Sequence, residues 1–190
     1  MNDLTYRMAE RAMEADIERI LIRHDDIQRR VREMAEEIVR AYGEDATGIT
    51  IVPILSGSII FLADLIRDLP YKIKVALIHV STYAGTTPGE PKIVRELAGD
   101  IEGRHVLLID DILDSGRTLR RVQEEISVRK PASLKTAVLL RKPDRAPPDA
   151  KVDFVGFDIE DAFVVGYGLD FSDYYRNYPH IGVLREECAR

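Results

Sequence analysis

The chain has a single cysteine, Cys188, among its 190 residues. A lone thiol forms no internal disulfide, which suits a reducing compartment. Long apolar runs are missing too. None approaches the length of a membrane span. The N-terminal MNDLTYRMAERAMEADIERI carries acids and bases throughout, with no apolar core of signal-peptide length. The expectation is a cytoplasmic protein with no membrane attachment. An excess of basic charge is also absent: 27 Lys and Arg against 33 Asp and Glu leave a net charge of −6. That balance argues against nucleic acid as a partner, although a local basic patch stays compatible with it. There is no low-complexity tract, no internal repeat, no dividing linker and no G-x-x-x-x-G-K-[ST] loop.

What remains is an ordinary globular composition, 45% hydrophobic and 32% charged. The length suits one domain with its own core, expected over residues 17–190. Residues 1–16 read as an N-terminal extension, either loosely held or a short amphipathic helix on Leu4, Met8 and Met13. A strand is predicted around 17–22. Asp25 with Gln28 resembles a capping box, and Ile27, Val31, Met34, Ile38 and Tyr42 recur at helical spacing up to Gly43.

Beyond Gly48, short apolar runs alternate with helical segments. The runs predict strands at 49–55, 73–80, 106–109, 134–140 and 154–157, with helices at 59–69 and 118–128. Such alternation predicts an α/β fold with a central, mostly parallel sheet flanked by helices. Two segments interrupt it: YAGTTPGEP at 83–91 reads as an exposed mobile loop, and the proline-rich 143–148 as another.

Ligands of open α/β sheets bind beyond the carboxyl ends of the strands. There the segment VLLIDDILDSGRTL, residues 106–119, places a strand, a loop and a helix start. Ser115-Gly116 allows a tight turn in which consecutive N–H groups converge on an anion. The helix start adds the positive end of its dipole, and the Ser115 and Thr118 hydroxyls add donors. This is a monophosphate pocket built mostly of neutral donors. Asp110, Asp111 and Asp114 beside it suit a ligand that also offers hydroxyls, such as a ribose diol, or a hard cation such as Mg²⁺. Taken alone, D-D-x-x-D also reads as a solvated acidic turn; the buried strand before it and the S-G-x-T step after it favour a ligand site.

Val106–Leu119 resembles the phosphoribosyl pyrophosphate signature of the type I phosphoribosyltransferases. The segment VDFVGFDIEDAFVVGYGLD, residues 152–170, resembles the purine-binding region of the hypoxanthine-guanine phosphoribosyltransferases. LSGS at 55–58, STY at 81–83 and LLRKP at 139–143 extend the similarity over roughly residues 17–185. The resemblance implies the type I fold, with a small hood formed by the N- and C-terminal segments. It implies transfer of phosphoribose to hypoxanthine or guanine, giving IMP or GMP and pyrophosphate, with Mg²⁺ as cofactor.

Residue by residue, the resemblance implies the following roles. Asp110 and Asp111 bind the ribose hydroxyls and help hold metal. Asp114 is the general base at purine N7. The backbone of Asp114, Ser115, Gly116, Arg117 and Thr118 holds the 5′-phosphate. Leu55, Ser56 and Gly57 form the pyrophosphate loop, which in the family often contains a non-proline cis peptide, and Arg176 reaches the pyrophosphate. Thr82 and Tyr83 belong to a mobile loop that closes over the reacting centre. Lys142 donates to purine O6, Phe163 stacks on the ring, Val164 meets the base edge through its backbone, and Asp170 binds a second Mg²⁺. Dimers or tetramers of identical chains are usual for such enzymes.

Three positions depart from the family pattern. Ser56 replaces a common Lys or Arg, Thr82 replaces Ser, and Asp110 replaces Glu. Two other readings remain at this stage: a pyrimidine-directed or regulatory member of the fold, and a non-catalytic nucleotide-binding module.

Overall fold

The computed structural model describes residues 13–43, 46–84, 87–95 and 97–188. Of the N-terminal extension, residues 13–16 are helical and the rest lies outside the described residues. The chain packs as two compact units. The larger is Arg30–Asp161; the smaller joins the N-terminal part through Arg29 to Ala162 and onward. Among the described residues no helix is long and apolar enough to cross a membrane.

The larger unit is built on strands β2 (Ile49–Leu55), β3 (Lys74–Val75), β4 (Ile78–Ala84), β5 (Thr87–Arg95), β6 (His105–Leu113), β7 (Ser133–Arg141) and β8 (Phe154–Asp158). Their order is β5-β4-β2-β6-β7-β8, with β3 also paired to β2. Every pairing is parallel except β4 with β5. Val106 and Leu108 point into one core with Val52, Ile54, Val138 and the helix residues Leu119, Val122 and Ile126. Leu107 and Ile109, equally buried, point to the opposite face because side chains alternate along a strand. A sheet covered on both faces accounts for the nearly unbroken apolar runs. Helix α1 (His24–Tyr42) runs from the smaller unit into the larger, where Val31, Met34 and Ile38 are buried. Arg30 anchors it by donating to the carbonyls of Gly156 and Val155 on β8 at 2.9 and 2.8 Å. The other helices are α2 (Ile59–Leu65) and α3 (Arg117–Ser127).

The smaller unit holds a three-stranded antiparallel sheet, β1 (Ile17–Ile22), β10 (Ile181–Leu184) and β9 (Val164–Val165), in that order. Ile17, Val165, Tyr178 and Leu184 form its core. It is the expected hood, made from both ends of the chain.

Several expectations are corrected. Helix α1 starts at His24, so Asp25 lies in its first turn and does not cap it. The His24 N–H is instead satisfied by the His180 ring at 2.9 Å. Helix α2 stops at Leu65 and continues only as turns, and the strand expected at 73–80 is two strands, β3 and β4. Of the segment expected as a loop at 83–91, residues 83–84 and 87–91 are strand, β4 pairing antiparallel with β5 and Tyr83 standing opposite Pro88, while residues 85 and 86 lie outside the described residues. Its prolines are tolerated because β5 is an edge strand, which needs ladder bonds on one side only.

Candidate active site

The phosphate cradle forms where β6 ends. Its register with β7 continues through Asp110 opposite Val138 and Leu113 opposite Arg141, so both acids stand on ordered strand rather than loop. The chain then turns through Asp114 and Ser115 to Gly116, whose φ of +71° belongs to the left-handed region. A Cβ there would also come within 3.1 Å of Pro147. Helix α3 starts directly after this turn, with no side chain capping its N-terminus and no acid in its first turn. The N–H groups of that first turn have no partners within the helix, which leaves an electropositive end facing the loop. Ser115 is exposed, with Thr118 partly so.

Asp110 is buried, at 7% exposure. Its Oδ1 accepts the Asp111 N–H at 3.1 Å, and Asp111 Oδ1 accepts the Ile112 N–H at 2.8 Å. Burial, and then the neighbouring Asp111, push the Asp110 carboxyl well above the usual carboxylate range. The Leu55–Ser56 peptide is cis, as the resemblance implies. The following Gly57 packs so closely on the acidic pair that a Cβ would fall 1.7 Å from Asp111 Oδ2. The larger unit thus brings together the expected pyrophosphate loop and the ribose-binding acids, and only glycine fits between them. Among the described residues no group of three or more His, Cys, Asp or Glu side chains forms a metal cage. Two adjacent carboxylates suit Mg²⁺ all the same, since that ion is usually held by one or two carboxylates together with substrate oxygens.

Lys142 is expected to read the base, and it lies at the end of β7 with only 7% exposure. Its backbone N–H donates to the Leu113 carbonyl at 3.0 Å, which fixes it beside the cradle. Its ammonium lies 3.0 Å from Asp161 Oδ1 and 3.6 Å from Asp114 Oδ2. Arg145 completes a ring of alternating charges: Nε bonds Asp114 Oδ1, and Nη1 reaches Asp161 Oδ2 at 3.3 Å. The Lys142 hydrogen bond, ahead of that from Arg145, holds the Asp161 carboxyl below its ordinary range. Sequence reasoning found Asp114 and Lys142 but missed Arg145 and Asp161, whose spacing along the chain follows no motif.

Thr82 and Tyr83 lie on β4, and their expected roles rest on side chains outside the described residues. The other expected residues belong to the smaller unit. Phe163 is 51% exposed and meets Phe171 edge to face, with centroids 5.8 Å apart. An aromatic face left open in this way suits stacking. Val164 is buried and pairs with Val183 across β9 and β10. Asp170 Oδ1 lies 2.9 Å from Arg176 Nη2, and its Oδ2 accepts the Asp173 N–H at 2.8 Å. Arg176 also donates to the Gly168 carbonyl at 2.8 Å. The expected metal and pyrophosphate residues therefore pair with each other here. Tyr167, Ser172, Asp173 and Tyr175 all have positive φ, a concentration of left-handed backbone that ordinary connecting segments lack.

The phosphoribosyl transferase domain family matches residues 20–172. The hypoxanthine-guanine phosphoribosyltransferase of Bacillus subtilis is 43% identical over 175 residues, covering 91% of this chain and 96% of its own. The hypoxanthine-guanine-xanthine phosphoribosyltransferase of Tritrichomonas foetus is 40% identical, covering 94% and 98%. Among solved structures, a hypoxanthine phosphoribosyltransferase from Staphylococcus aureus superposes with a TM-score of 0.87 at 37% identity, covering 94% of this chain and 97% of that one.

Proposed function

The chain belongs to the hypoxanthine-guanine phosphoribosyltransferases, enzymes of the type I fold, and on that premise we propose how its residues divide the reaction. The purine N9 attacks C1′ of phosphoribosyl pyrophosphate, the C1′–O bond to pyrophosphate breaks, and the N7 proton passes to Asp114. The observation that carries this reading is Lys142, a buried ammonium held beside the Asp114 carboxylate at the lip of the phosphate cradle. One group donates to O6 while the other accepts from N7.

The C1′ centre becomes oxocarbenium-like as pyrophosphate departs, so the sugar gains positive charge and the leaving group negative charge. Asp110 and Asp111 accept from the ribose hydroxyls and lie near that positive charge. The uncapped start of α3, with Ser115 and Thr118, fixes the 5′-phosphate and thereby C1′. Asp110 and Asp111, together with substrate oxygens, would hold Mg²⁺, and that ion would supply charge neutralisation at pyrophosphate. In the smaller unit, Asp170 and Arg176 carry the second metal and pyrophosphate roles, Phe163 stacks on the base and the Val164 backbone meets its edge. Thr82 and Tyr83 cover the reacting centre and keep water from capturing it. The chain works in the cytoplasm as an oligomer of identical subunits.

Base selection follows from donor chemistry. An ammonium has donors only, so it pairs with the carbonyl of a 6-oxopurine and rejects the amino group of adenine. Lys142→Ala is expected to lower kcat/KM for hypoxanthine by about ten- to a hundredfold, the value of a hydrogen bond to a charged group. Phosphoribosyl pyrophosphate affinity should stay unchanged. Steady-state kinetics with hypoxanthine and adenine checks this. An unaltered base preference in the variant would remove Lys142 from the O6 contact.

A further inference from the structure

Two groups in the charge ring, Asp161 and Arg145, take no part in the chemistry just described. Asp161 is the last residue of the larger unit, and its side chain is 47% exposed, whereas that of Lys142 is only 8% exposed. Its two oxygens are divided between the two cations, Oδ1 taking Lys142 and Oδ2 taking Arg145. The same two cations face Asp114, through Lys142 on Oδ2 and Arg145 on Oδ1. Both oxygens of the proposed base are therefore shared with cations that a bound purine has to displace or redirect.

We infer that Asp161 is a positioning residue that holds Lys142 away from Asp114, and offers Arg145 a second carboxylate, when the base binds. This rests on the assignment of Lys142 to O6 and Asp114 to N7. Lys142 already lies nearer to Asp161, at 3.0 Å, than to Asp114, at 3.6 Å. As the N7 proton approaches Asp114, the Arg145 guanidinium has a second carboxylate already in reach and need not be released to water. Without the Asp161 charge, Asp114 is the one other carboxylate among the described residues within ion-pairing distance of Lys142. A nearly buried ammonium pairs tightly with the remaining carboxylate, because the attraction is weakly screened there. The groups meant for O6 and N7 then neutralise each other, and purine binding has to break that pair first.

The loss therefore falls on base binding and leaves chemistry in the filled site largely intact, the pattern of a raised KM at nearly constant kcat. Asp161→Asn keeps the side-chain shape and removes the charge. It is expected to raise KM for hypoxanthine about tenfold, with kcat and KM for phosphoribosyl pyrophosphate each changed less than about threefold. Asp161→Glu restores the charge and should return the hypoxanthine KM to within about threefold of the parent. A general loss of structure would instead move both substrates' KM values and would not be rescued by Glu. An unchanged hypoxanthine KM in Asp161→Asn, equal changes for both substrates, or an Asp161→Glu variant as impaired as Asp161→Asn would each overturn the inference. Failure of the parent protein to use any 6-oxopurine would be a different result, against the functional reading itself.

Discussion

Asp114→Asn is expected to lower kcat by about a hundred- to ten-thousandfold, the usual contribution of a positioned general base, with affinity for phosphoribosyl pyrophosphate within about threefold of the parent. The separation follows from which part of the residue does what. The backbone at Asp114 belongs to the turn that leads into Gly116 and α3, and an amide side chain leaves that turn alone. The carboxylate faces Lys142 and Arg145, on the side where the base is proposed to bind. Asparagine keeps an acceptor there but cannot take a proton. Single-turnover rates, measured beside equilibrium binding of phosphoribosyl pyrophosphate, separate the two effects. Unchanged turnover would remove Asp114 from the general-base role, whereas equal losses of turnover and binding would make it a structural part of the cradle.

Asp110→Asn is expected to stabilise the free protein at neutral pH while lowering kcat/KM for phosphoribosyl pyrophosphate by about ten- to a hundredfold. The Asp110 carboxyl is raised well above its ordinary value by burial and by Asp111. In the unfolded chain it ionises in the ordinary carboxylate range, so between the two values the folded state binds more protons than the unfolded one. Stability is then lost as pH rises through that window. Asparagine carries no such penalty. Its Tm should exceed the parent's at pH 7, by about 2–4 °C for each ~1 kcal/mol relieved in a domain of this size. The advantage should vanish below about pH 3, where the carboxyl is protonated in both states. Filling the site with hydroxyl donors or a cation favours the ionised form. Binding of phosphoribosyl pyrophosphate to the parent should accordingly release protons, which calorimetry in buffers of different ionisation heat can count. A Tm difference independent of pH would contradict this account of Asp110.

The sheet was legible because its central strands are buried on both faces: ITIVPIL and VLLI hold a single polar residue, the buried Thr50, so little suggests another placement. The limits of the reading are equally physical. Strand β6 runs through both acids to Leu113, four residues past the expected end, because backbone pairing with β7 does not depend on the side chains of Asp110 and Asp111. The pairing of β4 with β5 was hidden by Pro88 and Pro91, which argue against a central strand but are compatible with an edge. At the site, the S-G-x-T turn and its acids are contiguous in sequence, so they could be read directly. Arg145 and Asp161 reach Asp114 and Lys142 only through the fold, and nothing in their local sequence distinguishes them from solvated charges. The contact of Gly57 with Asp111 is of the same kind, since LSGS alone does not say what the glycine must leave room for.

A phosphoribosyl cradle and a buried lysine are proposed together to select 6-oxopurines. The most direct measurement supplies the protein with Mg²⁺, labelled phosphoribosyl pyrophosphate and, one at a time, hypoxanthine, guanine, xanthine, adenine and uracil. Labelled nucleotide should form with hypoxanthine and guanine. Adenine and uracil should react at least about a thousandfold more slowly, as expected of a site built to hydrogen-bond a group they lack or present differently. Turnover confined to uracil or to adenine would contradict the account.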